Sequence, residues 1–306
     1  MHPRSSERKT VPAKKPDEPA ALAIVAVILA NVALAFGPWF VRLADVGPVS
    51  SAFWRIALAA PLLSGAALAT GWRPFGAGGA NLSRMLWSMI ALGGICFAAD
   101  LGSWHLGILR TTLANATLFG NCAILIFPIY GFLVARTWPT RIQGVALLLA
   151  TVGAALLMGR SYQLDPRNLA GDMLCLLAGV LYTAYFILMA RARTTLPPIP
   201  ALALSTLASI VPLFFFALLL GERMWPEQWG PLVGLALVSQ VIGQGLMIFA
   251  LGKLSPLVVG LALLVQPVVA ATIGWTVYGE KLGLPDLLGA SLVAVALVLV
   301  SRRARG

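Results

Sequence analysis

Charged side chains are scarce in this chain: 22 Lys and Arg and 11 Asp and Glu stand among 306 residues, 11% of the total. An average soluble domain carries roughly a quarter. Catalytic signatures are missing as well. There is no His-Glu-x-x-His, no Gly-x-Ser-x-Gly and no pair of carboxylates within an apolar stretch, which argues against an intramembrane enzyme. No Walker A sequence occurs, so nothing supports drive by ATP. No catalytic residue, metal site or cofactor is therefore expected. The three cysteines, Cys96, Cys122 and Cys175, all fall inside apolar stretches, where they read as small packing groups rather than disulfide partners.

What is present is hydrophobicity: 59% apolar residues and a mean hydropathy of +0.88. It is organised in ten stretches, 20–41, 49–70, 85–107, 111–135, 141–159, 170–190, 199–220, 229–251, 255–278 and 284–301. A bilayer core about 30 Å thick needs roughly 20 apolar residues at 1.5 Å rise. In lipid every backbone polar group must be satisfied internally, so the stretches are helices. The alternating pattern of a membrane β-barrel is absent. The expected fold is an all-α polytopic membrane protein with ten transmembrane helices.

A net charge of +11 would suggest nucleic acid in a soluble protein. Placed on this topology, fifteen of the 22 cations fall on the side carrying both termini, six on the other, and Arg55 lies within a span. The positive-inside rule puts both termini in the cytoplasm. The excess is a topology signal, and no nucleic-acid partner is expected. Trp39, Trp72, Trp87, Trp138, Trp229 and Trp275 lie near predicted ends, where amphipathic rings prefer to sit. Residues 1–19 are polar and read as a disordered cytoplasmic tail. A cleaved signal peptide ending near Ala33-Leu34-Ala35 is the alternative, but its removal would leave nine spans.

The apolar pattern breaks at Arg160, Asp165, Pro166, Arg167 and Asn168, with five spans on each side. Five is odd, so the second half enters the membrane from the opposite face, and similarity between halves is an inverted repeat. Spans 4 and 9 each carry an internal proline, Pro128 and Pro267, followed by a short polar turn and a helix without polar groups. The expected units are 20–160 and 169–302. Gly144, Gly153, Gly289 and Ala294 in spans 5 and 10 suit close helix packing.

The stretch Thr111-Thr112-Leu113-Ala114-Asn115-Ala116-Thr117-Leu118-Phe119-Gly120-Asn121, with Gly171-Asp172 opening span 6 and Gly279-Glu280-Lys281-Leu282 after the Pro267 helix, resembles the EamA-type branch of the drug/metabolite transporter superfamily. The resemblance covers about 20–302. It departs in two places: Pro128 sits one helical turn later than the family's proline, and the first-half counterpart of Gly-Glu is replaced around Arg136-Thr137. The resemblance implies a ten-helix carrier of small organic metabolites, often an exporter, located in the inner membrane.

Polar residues inside a bilayer are costly and functional by default. Arg55 and Asp100 each lie about seven residues inside the outer ends of spans 2 and 3, close enough in depth to pair. Trp104 shares a face with Asp100, and His105 lies nearer the outer surface. Around the midplane fall Asn31, Asn121, Tyr182, Gln240, Gln244 and Gln266, with Asn115 and Thr117 on span 4. A cavity lined by both halves would use these residues. A structural ion pair, interhelical hydrogen bonds and, for Asp172, an N-cap are the plainer readings. The expected function is alternating-access transport of a small polar metabolite such as an amino acid, with a vitamin, nucleoside-like compound or xenobiotic as alternatives. A non-transporting membrane subunit is a further reading. Proton coupling would fall to Asp100, with His105. The expected partners are the lipid bilayer and the small-molecule substrate, and a homodimer is the candidate assembly.

Overall fold

The computed structural model describes residues 18–73, 83–111, 116, 119–159, 166–278 and 283–303. Every regular element among them is helical. In chain order these are α1 (Glu18–Ala35), α2 (Gly37–Leu43), α3 (Pro48–Ala69), α4 (Arg84–Ile108), α5 (Ala123–Ala135), α6 (Arg141–Gly159) and α7 (Leu169–Ala192). There follow α8 (Pro198–Leu219), α9 (Gly230–Gly234), α10 (Gly245–Leu251), α11 (Pro256–Ala262), α12 (Val265–Tyr278) and α13 (Leu284–Arg303). Between α9 and α10 the backbone winds as a π-helix over Leu235–Gln244. Helix α1 begins two residues inside the stretch read as a tail, and residues 1–17 lie outside the described residues, as do Arg160, Asp165, Glu280 and Lys281.

Among the described residues, six helical stretches are long and apolar enough to cross a membrane: Ala21–Leu43, Pro48–Ala69, Arg84–Ile108, Pro166–Ala192, Pro198–Leu219 and Gly230–Leu251. Four shorter apolar helices, Ala123–Ala135, Arg141–Leu156, Pro256–Val269 and Leu287–Val300, fall within the fourth, fifth, ninth and tenth predicted stretches. The chain is a multi-pass membrane protein. Three of the predicted spans are not continuous helices, the first among them. Helix α5 starts only after a turn at Asn121 and Cys122, and the ninth stretch breaks at Leu263 and Leu264 between α11 and α12.

Proline explains several boundaries. Pro48, Pro198 and Pro256 open α3, α8 and α11, where a missing N–H costs nothing because the first-turn donors have no intrahelical partner. Pro38 cannot donate to the Leu34 carbonyl, and the first span divides into α1 and α2 at Phe36. Pro128 stays inside α5, with its ring against Gly260 of α11: a Cβ at Gly260 would stand 2.6 Å from the proline Cγ. Only hydrogen fits there.

Without a hydrophobic drive between helices in lipid, close packing and interhelical hydrogen bonds hold such a bundle together. The most extensive contacts join α4 to α7, α6 to α13 and α3 to α8, while α1 lies against the π-helical segment, α10 and α12, and α5 against α11. At the centre the rings of Phe97 and Tyr185 stack with centroids 4.4 Å apart, and both are fully buried. Helices α6 and α13 approach at Gly153, where a Cβ would stand 2.8 Å from the Gly289 carbonyl oxygen. Of the other small residues expected to serve that contact, Gly144 faces open space and Ala294 is exposed.

Candidate functional site

The break between α1 and α2 turns Leu34, Ala35 and Pro38 towards the middle of the bundle. There they meet Arg55 of α3, Phe97, Asp100, Leu101 and Trp104 of α4, Tyr182 of α7 and Gln266 of α12, with Ala116, Gly120 and Asn121 closing the far side. These residues line a cavity of about 80 Å³. Drug-sized ligand sites run to roughly 300–1,000 Å³, so this chamber is narrow. Of the residues singled out from sequence, Arg55, Asp100, Trp104, Asn121, Tyr182 and Gln266 line it together.

Arg55 and Asp100 do not form the ion pair that their depths suggested. Both are buried and both face the cavity, but the Arg55 Nε donates to Gln240 Oε1 at 3.2 Å, and its guanidinium carbon lies 5.9 Å from the centre of the Phe97 ring. Gln240 competes successfully because the π-helix carries it inward opposite α3; its Nε2 then donates to Thr206 Oγ1 at 3.1 Å. The Asp100 carboxylate is left facing the chamber without a hydrogen-bond partner among the described residues. A guanidinium and a carboxyl group thus stand in one small cavity without a bond between them.

Asn31, Gln240 and Gln244 are fully buried and stand behind the lining. Gln266 Nε2 donates to Asn31 Oδ1 at 2.8 Å, and Asn31 Nδ2 donates to the Val27 carbonyl at 2.7 Å. The Tyr182 hydroxyl donates to Gln244 Oε1 at 3.1 Å. These bonds tie α1 to α12 and α7 to the π-helix. Gln244 Nε2 and Ser239 Oγ, also on the π-helix, are buried without a partner. Unsatisfied buried groups of this kind are rare in folded proteins, and π-helical turns collect at functional sites.

His105, Asp172 and the pair Asn115 and Thr117 stand apart from the chamber's lining or outside the described residues. His105, in the last turn of α4, is fully buried within the bundle, its Nδ1 lying 2.8 Å from Ser51 Oγ and 3.0 Å from the Pro48 carbonyl, with Nε2 unpartnered. It does not line the cavity. Asp172 is not an N-cap. Asn168 holds that position, while Asp172 sits in the first turn of α7 and accepts a hydrogen bond from Thr111 Oγ1 at 2.6 Å, joining the end of α4 to α7. Asn115 and Thr117 lie outside the described residues.

Sequence reasoning missed the apolar wall, Leu34, Phe97 and Leu101, because an apolar residue carries no mark in an apolar helix. It also missed Glu222. This carboxylate follows α8 and caps α3, accepting from the Ser50 N–H at 2.7 Å and the Val49 N–H at 3.2 Å. Beside it, Asp45 accepts from the Glu227 N–H at 2.7 Å and the Gln228 N–H at 3.2 Å, and Trp54 Nε1 donates to the Met224 carbonyl at 2.6 Å. The backbone donors, that of Glu227 foremost, hold the Asp45 carboxyl below its ordinary value of 3.8.

A solved structure described as "Crystal structure of protein" superposes with a TM-score of 0.74 over 93% of this chain and 98% of that one, at 14% identity. At that identity the likeness concerns the fold alone. An uncharacterized transporter of Archaeoglobus fulgidus is 24% identical over 257 residues, 82% of this chain and 85% of its own. The model of the EamA-like transporter family matches twice, over residues 21–159 and 169–302.

Proposed function

Because the chain belongs to the EamA-like transporter family, we propose that it exports a small polar organic metabolite, such as an amino acid, through the cavity between α1, α3, α4, α7 and α12. The observation that carries this reading is the pair of unbridged charges, Arg55 and Asp100, on one narrow chamber. Burying two ionisable groups side by side without bridging them is costly, and a bundle built only for stability would not require it. A substrate with complementary groups offsets that cost on binding, and the aromatic walls Phe97, Trp104 and Tyr182 accept its apolar part.

Alternating access follows if the halves are inverted repeats of five spans, residues 20–160 and 169–302. Two observations support that organisation. The family model matches on either side of residues 160–168. The most extensive contacts also map onto one another when each span is exchanged for the one five places on: α3 with α8, α5 with α11 and α6 with α13 pair equivalents, and the α4–α7 contact has its counterpart in α1 against the π-helix and α10. A site at the meeting of such halves can open to either face. The cation asymmetry supports cytoplasmic termini, and an inner-membrane location suits the reading.

The test is a thermal-shift screen of purified protein against a metabolite library at two pH values. A ligand specific for the folded state stabilises by about 2.7 kcal/mol at a hundredfold excess over Kd. A hit that Asn121→Ala or Arg55→Gln abolishes supports the cavity as the site. A hit that survives both substitutions removes the cavity from the account.

A further inference from the structure

A second concavity lies on the lipid-facing side, away from the central chamber. It has a volume of about 440 Å³ and runs between Leu63 and Ala66 of α3, Ile199 and Leu202 of α8, and the face of the π-helix and α10 from Ile242 to Phe249. Its whole lining is apolar. The three walls come from the last turns of α3, the first turns of α8 and the last turns of α10, so the groove descends from one membrane interface towards mid-depth.

Two cations stand at its interfacial end. The Lys253 ammonium lies 5.1 Å from the centre of the Phe249 ring, the last aromatic of the groove. The Arg193 guanidinium donates from Nε to the Ile248 carbonyl at 3.1 Å and from Nη1 to the Leu196 carbonyl, with Nη2 packed against Gly252, next to Lys253. Neither cation pairs with a carboxylate among the described residues. An acyl-shaped apolar slot at membrane depth, ending under two unpaired cations at the interface, is complementary to one class of molecule.

We infer that this groove binds an anionic phospholipid of the bilayer, an acyl chain lying between α3, α8 and α10 and the phosphate resting on Lys253 and Arg193. Because α3 comes from the first half and α8 and α10 from the second, the bound lipid bridges them. Juxtamembrane cations attract anionic lipid by a modest amount each, and the groove adds the apolar contact that turns attraction into a site.

Native mass spectrometry of the detergent-purified protein, titrated with phosphatidylglycerol or with phosphatidylcholine of the same chains, tests this. The wild type should retain the anionic lipid about 25-fold better, about fivefold from each of the two interfacial cations. Lys253→Gln, at an exposed position, should lower that preference about fivefold, leaving the share of Arg193. Gly245→Leu should lower retention of both: a Cβ there meets only Leu202 Cδ2, at 3.7 Å, so the new side chain enters the groove without displacing its neighbours. Equal retention of the two lipids by the wild type overturns the proposal, and so does a folded Gly245→Leu protein that still holds them as the wild type does.

Discussion

Asp100 has no hydrogen bond to lose among the described residues, and this makes it the most informative single residue. Its replacement by Asn removes the charge while leaving shape and packing in place. We expect Asp100→Asn to retain the folded bundle but to abolish pH-driven accumulation of substrate in vesicles; accumulation with an unchanged pH profile would dismiss Asp100 as the proton carrier. The amides behind the cavity should behave differently. Gln266→Ala breaks one bond to Asn31, and interhelical bonds in membrane proteins average about 0.6 kcal/mol. Gln240→Leu strips the partner from a buried guanidinium and should cost several times more in thermal unfolding, since a buried charge left unpaired is strongly destabilising. A ranking of Gln266→Ala above Gln240→Leu in damage would contradict the network described. All these residues were legible in the sequence because a polar side chain in an apolar run announces itself. Their pairing was not. Arg55 takes Gln240 over Asp100 across 185 positions, and a choice made by two distant helices leaves no local trace.

At the scale of elements, the breaks matter as much as the helices. The first span, 20–41, reads as unbroken in the sequence, and only the structure shows that it divides at Phe36, before Gly37-Pro38, and opens onto the chamber there. The π-helix was invisible, since widened turns carry no compositional mark. Helix α5 ends at Arg136 with φ of 49°, a left-handed position that a residue with a Cβ occupies at a cost of about 1 kcal/mol. Glycine is preferred at such helix ends. Arg136→Gly should therefore raise thermal stability by about that amount, and an unchanged or lowered melting temperature would show that the arginine side chain compensates. The loop pairing of Asp45 with Glu227 predicts a pH dependence. Its carboxyl titrates below the ordinary 3.8 in the folded protein, so its contribution is complete above that value and is lost as pH falls through the lower, folded value. Acid titration of tryptophan fluorescence, reporting on the nearby Trp54, Trp225 and Trp229 rings, should show a transition below pH 3.8 that Asp45→Asn removes. A transition unaffected by the substitution would assign it to another group.

For the whole molecule, ten apolar stretches led to a multi-pass helical membrane protein because hydropathy is a property of each stretch by itself. The order of packing is a property of all of them, and the interleaving of α4 with α7 and of α1 with the π-helix emerges only when the halves meet. That interleaving puts Arg55 and Asp100 on one chamber, and the account stands on their facing a substrate there. The direct test is flux in proteoliposomes reconstituted with the purified protein and loaded with the metabolite from the stability screen. The wild type should give saturable efflux that unlabelled substrate on the far side accelerates, and Arg55→Gln should lose it while remaining folded. Efflux no faster than from protein-free liposomes, or efflux undiminished in Arg55→Gln, would contradict transport through this cavity.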